Sequence, residues 1–289
     1  MMTLKALLIF CLVSVAGLVY GNETKTGMPF SDSTYLEFRN LNYSSSNDPA
    51  NLIDIFLPFQ HSASTRMIVF VHGGFWSKGS KSQLPKVLID VLVGQKGYAM
   101  ASFNYHLVKD DANKFPIQIE DMKKVFAFLS QKGDSLGYDG KHFALLGASA
   151  GAHLALLYAY GHDTRKQIST VMDLFGPTDL TDSLVRQNNV VANVTINRFL
   201  GDSDPKARIA RDASPIFFLN KNTGVPTLII HGENDELVHI DQSIRLHKKL
   251  NDEGIKTQLI TYPNEKHEIS KSRMFDVFLK ISKWLDEVY

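Results

Sequence analysis

Short apolar runs rich in β-branched and aromatic residues alternate with helix-period segments along most of this chain, and that alternation limits its fold more than any other feature. Met67-Ile68-Val69-Phe70-Val71 has no polar interruption, as expected of a strand buried on both faces, and it stops at His72-Gly73-Gly74. Tyr98–Phe103, His142–Leu146, Val171–Phe175, Thr227–Ile230 and Thr257–Ile260 repeat the theme, with helical patterns at about 84–95, 116–131, 150–160, 240–252 and 274–287. Tyr35–Asn42 and Leu52–Leu57 read as two opening strands joined through the turn-rich Ser44–Pro49 stretch, which predicts an antiparallel hairpin. The expected architecture is α/β: a mostly parallel central sheet of about eight strands with helices on both faces. Residues 178–222 break the rhythm, being polar and without a strong strand, and are read as a small helical cap inserted after a strand.

Residues 22–289 suffice for one large core, and no internal repeat or low-complexity block divides them. A formal net charge of +1, without a long like-charge run, gives no electrostatic footprint of a nucleic-acid binder. The N-terminus has a separate character: Lys5 precedes the apolar stretch Ala6–Val19, which ends near Gly21. Residues 1–21 read as a secretory signal peptide, because the run falls short of the roughly 20 residues that span a bilayer. The expected mature protein is exported, to the periplasm or the medium, with no stable membrane insertion. Cys11, the single cysteine, falls inside that leader, so cleavage after Gly21 leaves no disulfide framework. Nothing in the sequence sets an oligomeric state.

Gly147-Ala148-Ser149-Ala150-Gly151 is a G-x-S-x-G pattern between the strand-like Phe143–Leu146 and the helix-like Ala152–Leu157. A turn that sharp exposes the serine Oγ and excludes bulk two residues to either side, which explains Gly147 and Gly151. The helix start also leaves backbone N–H groups unpaired, facing the place where negative charge develops on an attacked carbonyl. A small-residue turn that merely packs helix on sheet is the bland alternative. Against it stands His72-Gly73-Gly74-Phe75-Trp76, which follows an earlier buried strand where the remaining oxyanion donors belong. The N–H groups of Gly74, Phe75 and Ala150 are the candidate donors, with His72, Gly73 and Trp76 supporting the loop.

A serine hydroxyl needs an imidazole to take its proton, and the imidazole needs a carboxylate to fix its tautomer. Asp235 lies in His231-Gly232-Glu233-Asn234-Asp235-Glu236, a loop at the C-terminal end of a strand, with Glu233 and Glu236 as solvated rivals. His267 follows the last strand and precedes the last helix, on the same sheet edge. His72 and His231 sit at strand ends, His153 on the helix after Ser149, and His239 and His247 in a surface helical region; each is a poorer base. No His/Cys/Asp cluster has metal-ligand spacing, and no nucleotide-binding glycine motif is present, so neither metal nor cofactor is implied.

With these residues in place, the chain resembles the α/β-hydrolase fold esterases and lipases related to hormone-sensitive lipase, and within them carboxylesterases and kynurenine-formamidase-like members. The resemblance is carried by His72–Trp76, Phe103–Leu107, Gly147–Leu154, Gly176–Leu180 and His231–Asp235, and covers nearly all of the mature chain. Phe75 replaces the glycine of many lipase relatives, which points away from long-chain lipids and toward formamidases and xylan- or feruloyl-type esterases. His106 stands where relatives often carry arginine and receives no role. The resemblance implies a serine esterase acting on a small-molecule carboxylic ester. Alternatives are an arylformamidase-type amide hydrolase, an acetyl-xylan or feruloyl esterase, and a binding protein that has lost catalysis, which the presence of all three triad members disfavours.

Overall fold

The computed structural model describes residues 30–289 except Ser33 and Asn188. The leader at 1–21 and Cys11 therefore lie outside the described residues. Nine strands form one sheet: β1 Phe30–Asp32, β2 Tyr35–Asn42, β3 Leu52–Pro58, β4 Met67–Val71, β5 Ala99–Phe103, β6 Phe143–Ala148, β7 Ile168–Leu174, β8 Thr227–Gly232 and β9 Thr257–Tyr262. Their spatial order is β1-β2-β3-β5-β4-β6-β7-β8-β9. The first four in that order are joined antiparallel, β2 to β3 being the expected hairpin, and β5 through β9 pair in parallel with β4 among them. An α/β-hydrolase sheet of about eight strands is therefore present, with the three-residue β1 as an addition too short to read from sequence.

Every parallel link needs a crossover, and helices supply it: α1 Lys86–Ile89, continued by wider π-type turns to Gln95, α2 Ile117–Leu136, α3 Ala150–Leu157 and α7 Asp241–Asp252, with α8 Lys271–Val288 following the last strand. Between β7 and β8 lie α4 Ser183–Gln187, α5 Val190–Leu200 and α6 Arg208–Asp212. The helices fall on both faces because side chains alternate along each strand. Met67, Val69 and Val71 face a core that includes Ile119, Met122, Val125, Phe126 and Leu129 of α2, together with α3 and α7. Ile68 and Phe70 face the opposite core, closed by α1 and by Val277, Phe278, Ile281, Trp284 and Leu285 of α8. The three- and four-residue spacing of these α2 and α8 positions makes one apolar stripe per helix. Full burial of each such side chain contributes roughly 1.5–3 kcal/mol.

The parallel arrangement brings the C-terminal ends of β4, β6, β8 and β9 to one edge, so the residues following those strands share one region of space. Among the described residues no helix is long and apolar enough to cross a membrane.

Candidate active site

At the end of β6 the chain turns through Ser149, at φ 53° and ψ −119°, directly into α3. A non-glycine residue in that conformation is strained and persists only where its surroundings fix it. Here the Ser149 N–H donates to Leu174 O at 2.8 Å, and its carbonyl accepts from the His153 N–H at 3.0 Å. The flanking glycines are required by contact. A Cβ on Gly147 would lie 2.5 Å from the Ala152 Cα, and one on Gly151 would lie 2.1 Å from the Val71 carbonyl oxygen. Small residues at these positions let α3 pack against both β6 and β4.

His267 comes to Ser149 from the loop after β9, its Nε2 standing 2.8 Å from Ser149 Oγ. Its Nδ1 lies 2.7 Å from Asp235 Oδ2, so a proton on Nδ1 leaves Nε2 as the acceptor facing the serine. Phe175 packs edge-on against the imidazole with ring centroids 4.9 Å apart. Asp235 is buried, whereas Glu233 and Glu236 are exposed. Its Oδ1 accepts from the Leu237 and Val238 N–H groups at 2.8 and 2.9 Å. Burial alone would raise the Asp235 pKa, but hydrogen bonds from His231 and His267 outweigh it and hold the carboxyl well below the usual range.

His231 is the contact that sequence reasoning missed. Its Nε2 lies 3.0 Å from Asp235 Oδ2 and 2.8 Å from Val238 O, while its Nδ1 lies 2.7 Å from Ser243 Oγ. Two imidazoles therefore share one carboxylate oxygen. The signal available in sequence was the i, i+4 spacing of His231 and Asp235, which in a turn rather than a helix does not announce a contact.

The loop after β4 approaches from the other side. Gly74 has φ 113°, a conformation unsuited to a side chain, and Phe75 and Trp76 follow at 57° and 54°. A Cβ on Gly73 would lie 2.9 Å from Ala148 O, so the loop crosses the end of β6 at backbone contact distance. His72 is fully buried and stacks on Tyr105 at 4.2 Å, its Nδ1–H donating to Gly73 O at 2.8 Å. Burial lowers the His72 pKa to about 4, which keeps it neutral. Ala150 opens α3, so its N–H belongs to the first helical turn, whose donors have no intrahelical acceptor.

Two spaces meet at Ser149, Phe75 and His267. The smaller, about 370 Å³ and open to solvent, is walled by Trp76, Val185, Ala192, Ile196 and Leu237. The larger, about 1180 Å³ and also open, runs between α1 and α8 past Leu88, Leu174, Met274 and Phe278, with Gln83 and Glu268 among its polar groups. The other histidines weighed as the base lie elsewhere: His153 is buried against Trp76 and Ala213, His247 sits on α7 beside Thr257, and exposed His239 precedes α7. His106 pairs through Nδ1 with Asp121 at 2.6 Å, away from these spaces. Among the described residues no group of three or more His, Cys, Asp or Glu side chains is arranged to hold a metal ion.

The BD-FAE family model matches residues 53–250, which contain Ser149, Asp235 and the loop after β4. The chain belongs to the BD-FAE family. It is an α/β-hydrolase-fold member of the esterase and lipase superfamily. Esterase LipC of Mycobacterium tuberculosis is 27% identical over 218 residues, covering 68% of this chain and 51% of LipC. The chain spans about half to three fifths of the length of the esterase relatives LipC, LipQ and LipM of Mycobacterium tuberculosis. Among solved structures, a truncated carbohydrate esterase from gut microbiota superposes with a TM-score of 0.73 at 21% identity, covering 89% of this chain and 98% of that one. An acetyl ester-xyloside bifunctional hydrolase from Caldicellulosiruptor lactoaceticus gives 0.68 at 17% identity, covering 86% and 95%. At these identities the likeness is one of fold.

Proposed function

We propose that the chain hydrolyses carboxylic esters through Ser149, His267 and Asp235, with an acyl-enzyme intermediate on Ser149. One observation carries this reading: the unbroken line from Ser149 Oγ through both ring nitrogens of His267 to Asp235 Oδ2, at 2.8 and 2.7 Å. His267 Nε2 takes the serine proton as Oγ attacks the acyl carbonyl. Asp235 stays ionised and stabilises the imidazolium that forms. The Gly74, Phe75 and Ala150 N–H groups receive the developing oxyanion, each typically contributing a factor of about 10² to 10³ in rate. His267 then protonates the departing alcohol, and a water activated by the same imidazole releases the acid.

For the substrate we favour acyl groups carried on carbohydrate, of the acetyl-xylan or feruloyl kind. The BD-FAE match and the fold likeness to the carbohydrate esterase and the acetyl ester-xyloside hydrolase support this over a general carboxylesterase. The kynurenine-formamidase-like reading is supported by Phe75, which fits xylan- or feruloyl-type esterases as well. Residues 22–289 act as one domain in this proposal, with 178–222 as the cap and 1–21 as the export signal. The test is a panel of p-nitrophenyl acetate, acetylated xylan, a feruloyl sugar and N-formylkynurenine, each assayed with the wild type and Ser149→Ala. Turnover of the carbohydrate esters above the others, lost in Ser149→Ala, is the expected result. Preference for N-formylkynurenine would overturn the ester assignment.

A further inference from the structure

We infer that His153 and Trp76 are positioning residues that hold the oxyanion loop in register with the nucleophile helix and with the 190–213 segment. The inference builds on the ester-hydrolase reading above, because it concerns the loop that supplies the Gly74 and Phe75 donors.

The starting point is strain. Phe75 and Trp76 are consecutive non-glycine residues at positive φ, 57° and 54°. Such a conformation is strained and persists only where the surroundings over-determine it. Trp76 is 4% exposed, and three groups grip it. Its Nε1–H donates to His153 Nδ1 at 3.2 Å. Its indole face stacks on Phe199 at 4.4 Å with an interplanar angle of 16°. Its carbonyl accepts from the Val108 N–H at 2.8 Å.

The hydrogen-bond chemistry then fixes the state of His153. An indole nitrogen only donates, so His153 Nδ1 must accept. The ring proton is therefore on Nε2, which donates to Ala213 O at 2.7 Å. Both nitrogens of a fully buried imidazole are satisfied in its neutral form, and burial lowers its pKa to about 4. His153 sits four residues after Ser149 on α3, one helical turn from the nucleophile. Phe199 belongs to α5 and Ala213 follows α6. A single buried cluster thus joins three segments distant in sequence: the loop after β4, the nucleophile helix and residues 190–213.

The consequence is geometric. The same α5 that stacks Phe199 on Trp76 carries Ala192 and Ile196 into the lining of the smaller space, which Phe75, Ser149 and Ala150 share. Trp76 walls the smaller space, but the ring nitrogens of Trp76 and His153 bond each other and Ala213 O rather than Ser149 Oγ or His267. Their effect is to set the distance between oxyanion donors and nucleophile, and with it the width of that space.

Three variants test this with p-nitrophenyl acetate kinetics and thermal unfolding in parallel. Trp76→Phe keeps the stack and removes the indole donor. His153→Leu removes both ring contacts, and His153→Gln restores one acceptor and one donor. The expected result for Trp76→Phe and His153→Leu is a kcat lower by about 10- to 100-fold, the scale of a misplaced oxyanion donor, with KM within about threefold. His153→Gln should recover most of the lost kcat. Folded Trp76→Phe and His153→Leu proteins with wild-type kcat and only a lower melting temperature would overturn the inference, as would a folded His153→Gln no better than His153→Leu. Should His153→Leu fail to fold, Trp76→Phe decides. Failure of the ester reading itself has a different signature: no turnover by the wild type, or full turnover by Ser149→Ala.

Discussion

Replacing Asp173 by asparagine isolates the cost of burying one carboxylate in the central sheet. Asp173 lies near the end of β7 with no solvent exposure; its Oδ1 accepts from the Gly176 N–H at 2.8 Å. Its Oδ2 has no hydrogen-bond partner among the described residues. Burial raises its pKa from 3.8 to about 7, against smaller opposing effects of the Gly176 hydrogen bond and nearby His231. A carboxyl whose pKa is raised by folding binds its proton more tightly in the native state. Native stability therefore falls as pH rises from the unfolded value to the folded one, and is level beyond it. At about 1.4 kcal/mol per unit, the window from pH 4 to pH 7 corresponds to about 4 kcal/mol. The amide in Asp173→Asn does not titrate, so subtracting the stability of this variant from that of the wild type cancels the contributions of His72 and His153, whose lowered pKa values place their titration in an overlapping range. Urea unfolding at pH 4.5, 6 and 8 measures the difference. Asp173→Asn should gain a few kcal/mol relative to wild type between pH 4.5 and 8, or roughly 2–4 °C of melting temperature per kcal/mol. A difference that does not change with pH would refute the reasoning, since it would mean the carboxyl is partnered or hydrated.

Three further outcomes follow from the geometry. His231→Leu removes a donor from the oxygen of Asp235 that also holds His267, and should lower kcat/KM by about tenfold, the scale of one charge-assisted hydrogen bond; a change under twofold in steady-state kinetics would deny His231 any part in aligning the acid. Gly151→Ala drives a Cβ to 2.1 Å from Val71 O and should destabilise the fold by about 1–3 kcal/mol or more, read by thermal denaturation. Asp235 is held well below the usual carboxylate range by its hydrogen bonds from His231 and His267, so the acid limb of a kcat/KM profile should fall with a slope no steeper than one. A slope of two would show that Asp235 titrates as well.

The architecture was legible because its signals are local. An uninterrupted run such as Met67–Val71 can be little else than a strand buried on both faces, and the stripes of α2 and α8 repeat at helical spacing. Boundaries drifted where composition turned ambiguous: β7 begins at Ile168 because Ser169 and Thr170 continue the strand, and β6 runs on to Ala148 through residues that read as a turn. Ser149 was marked by its G-x-S-x-G turn, and Asp235 and His267 could be expected near it because each follows a strand whose end lies on the same sheet edge. What could not be read is how the supporting groups meet. Trp76 and His153 are 77 residues apart, and His153 is 60 from Ala213, so their contacts depend on the packing of three segments rather than on any spacing. The sharing of Asp235 Oδ2 by two imidazoles likewise depends on the shape of one turn after β8.

The most direct test of the catalytic assignment is labelling with a fluorophosphonate, which reacts with an activated serine and not with an ordinary hydroxyl. Peptide mass spectrometry of the labelled wild type should find the adduct on Ser149 with loss of p-nitrophenyl acetate turnover in proportion. His267→Ala should slow labelling by several orders of magnitude, since the proton acceptor at 2.8 Å is gone. An adduct on another residue, or unchanged ester turnover by a fully labelled enzyme, would contradict Ser149 as the nucleophile.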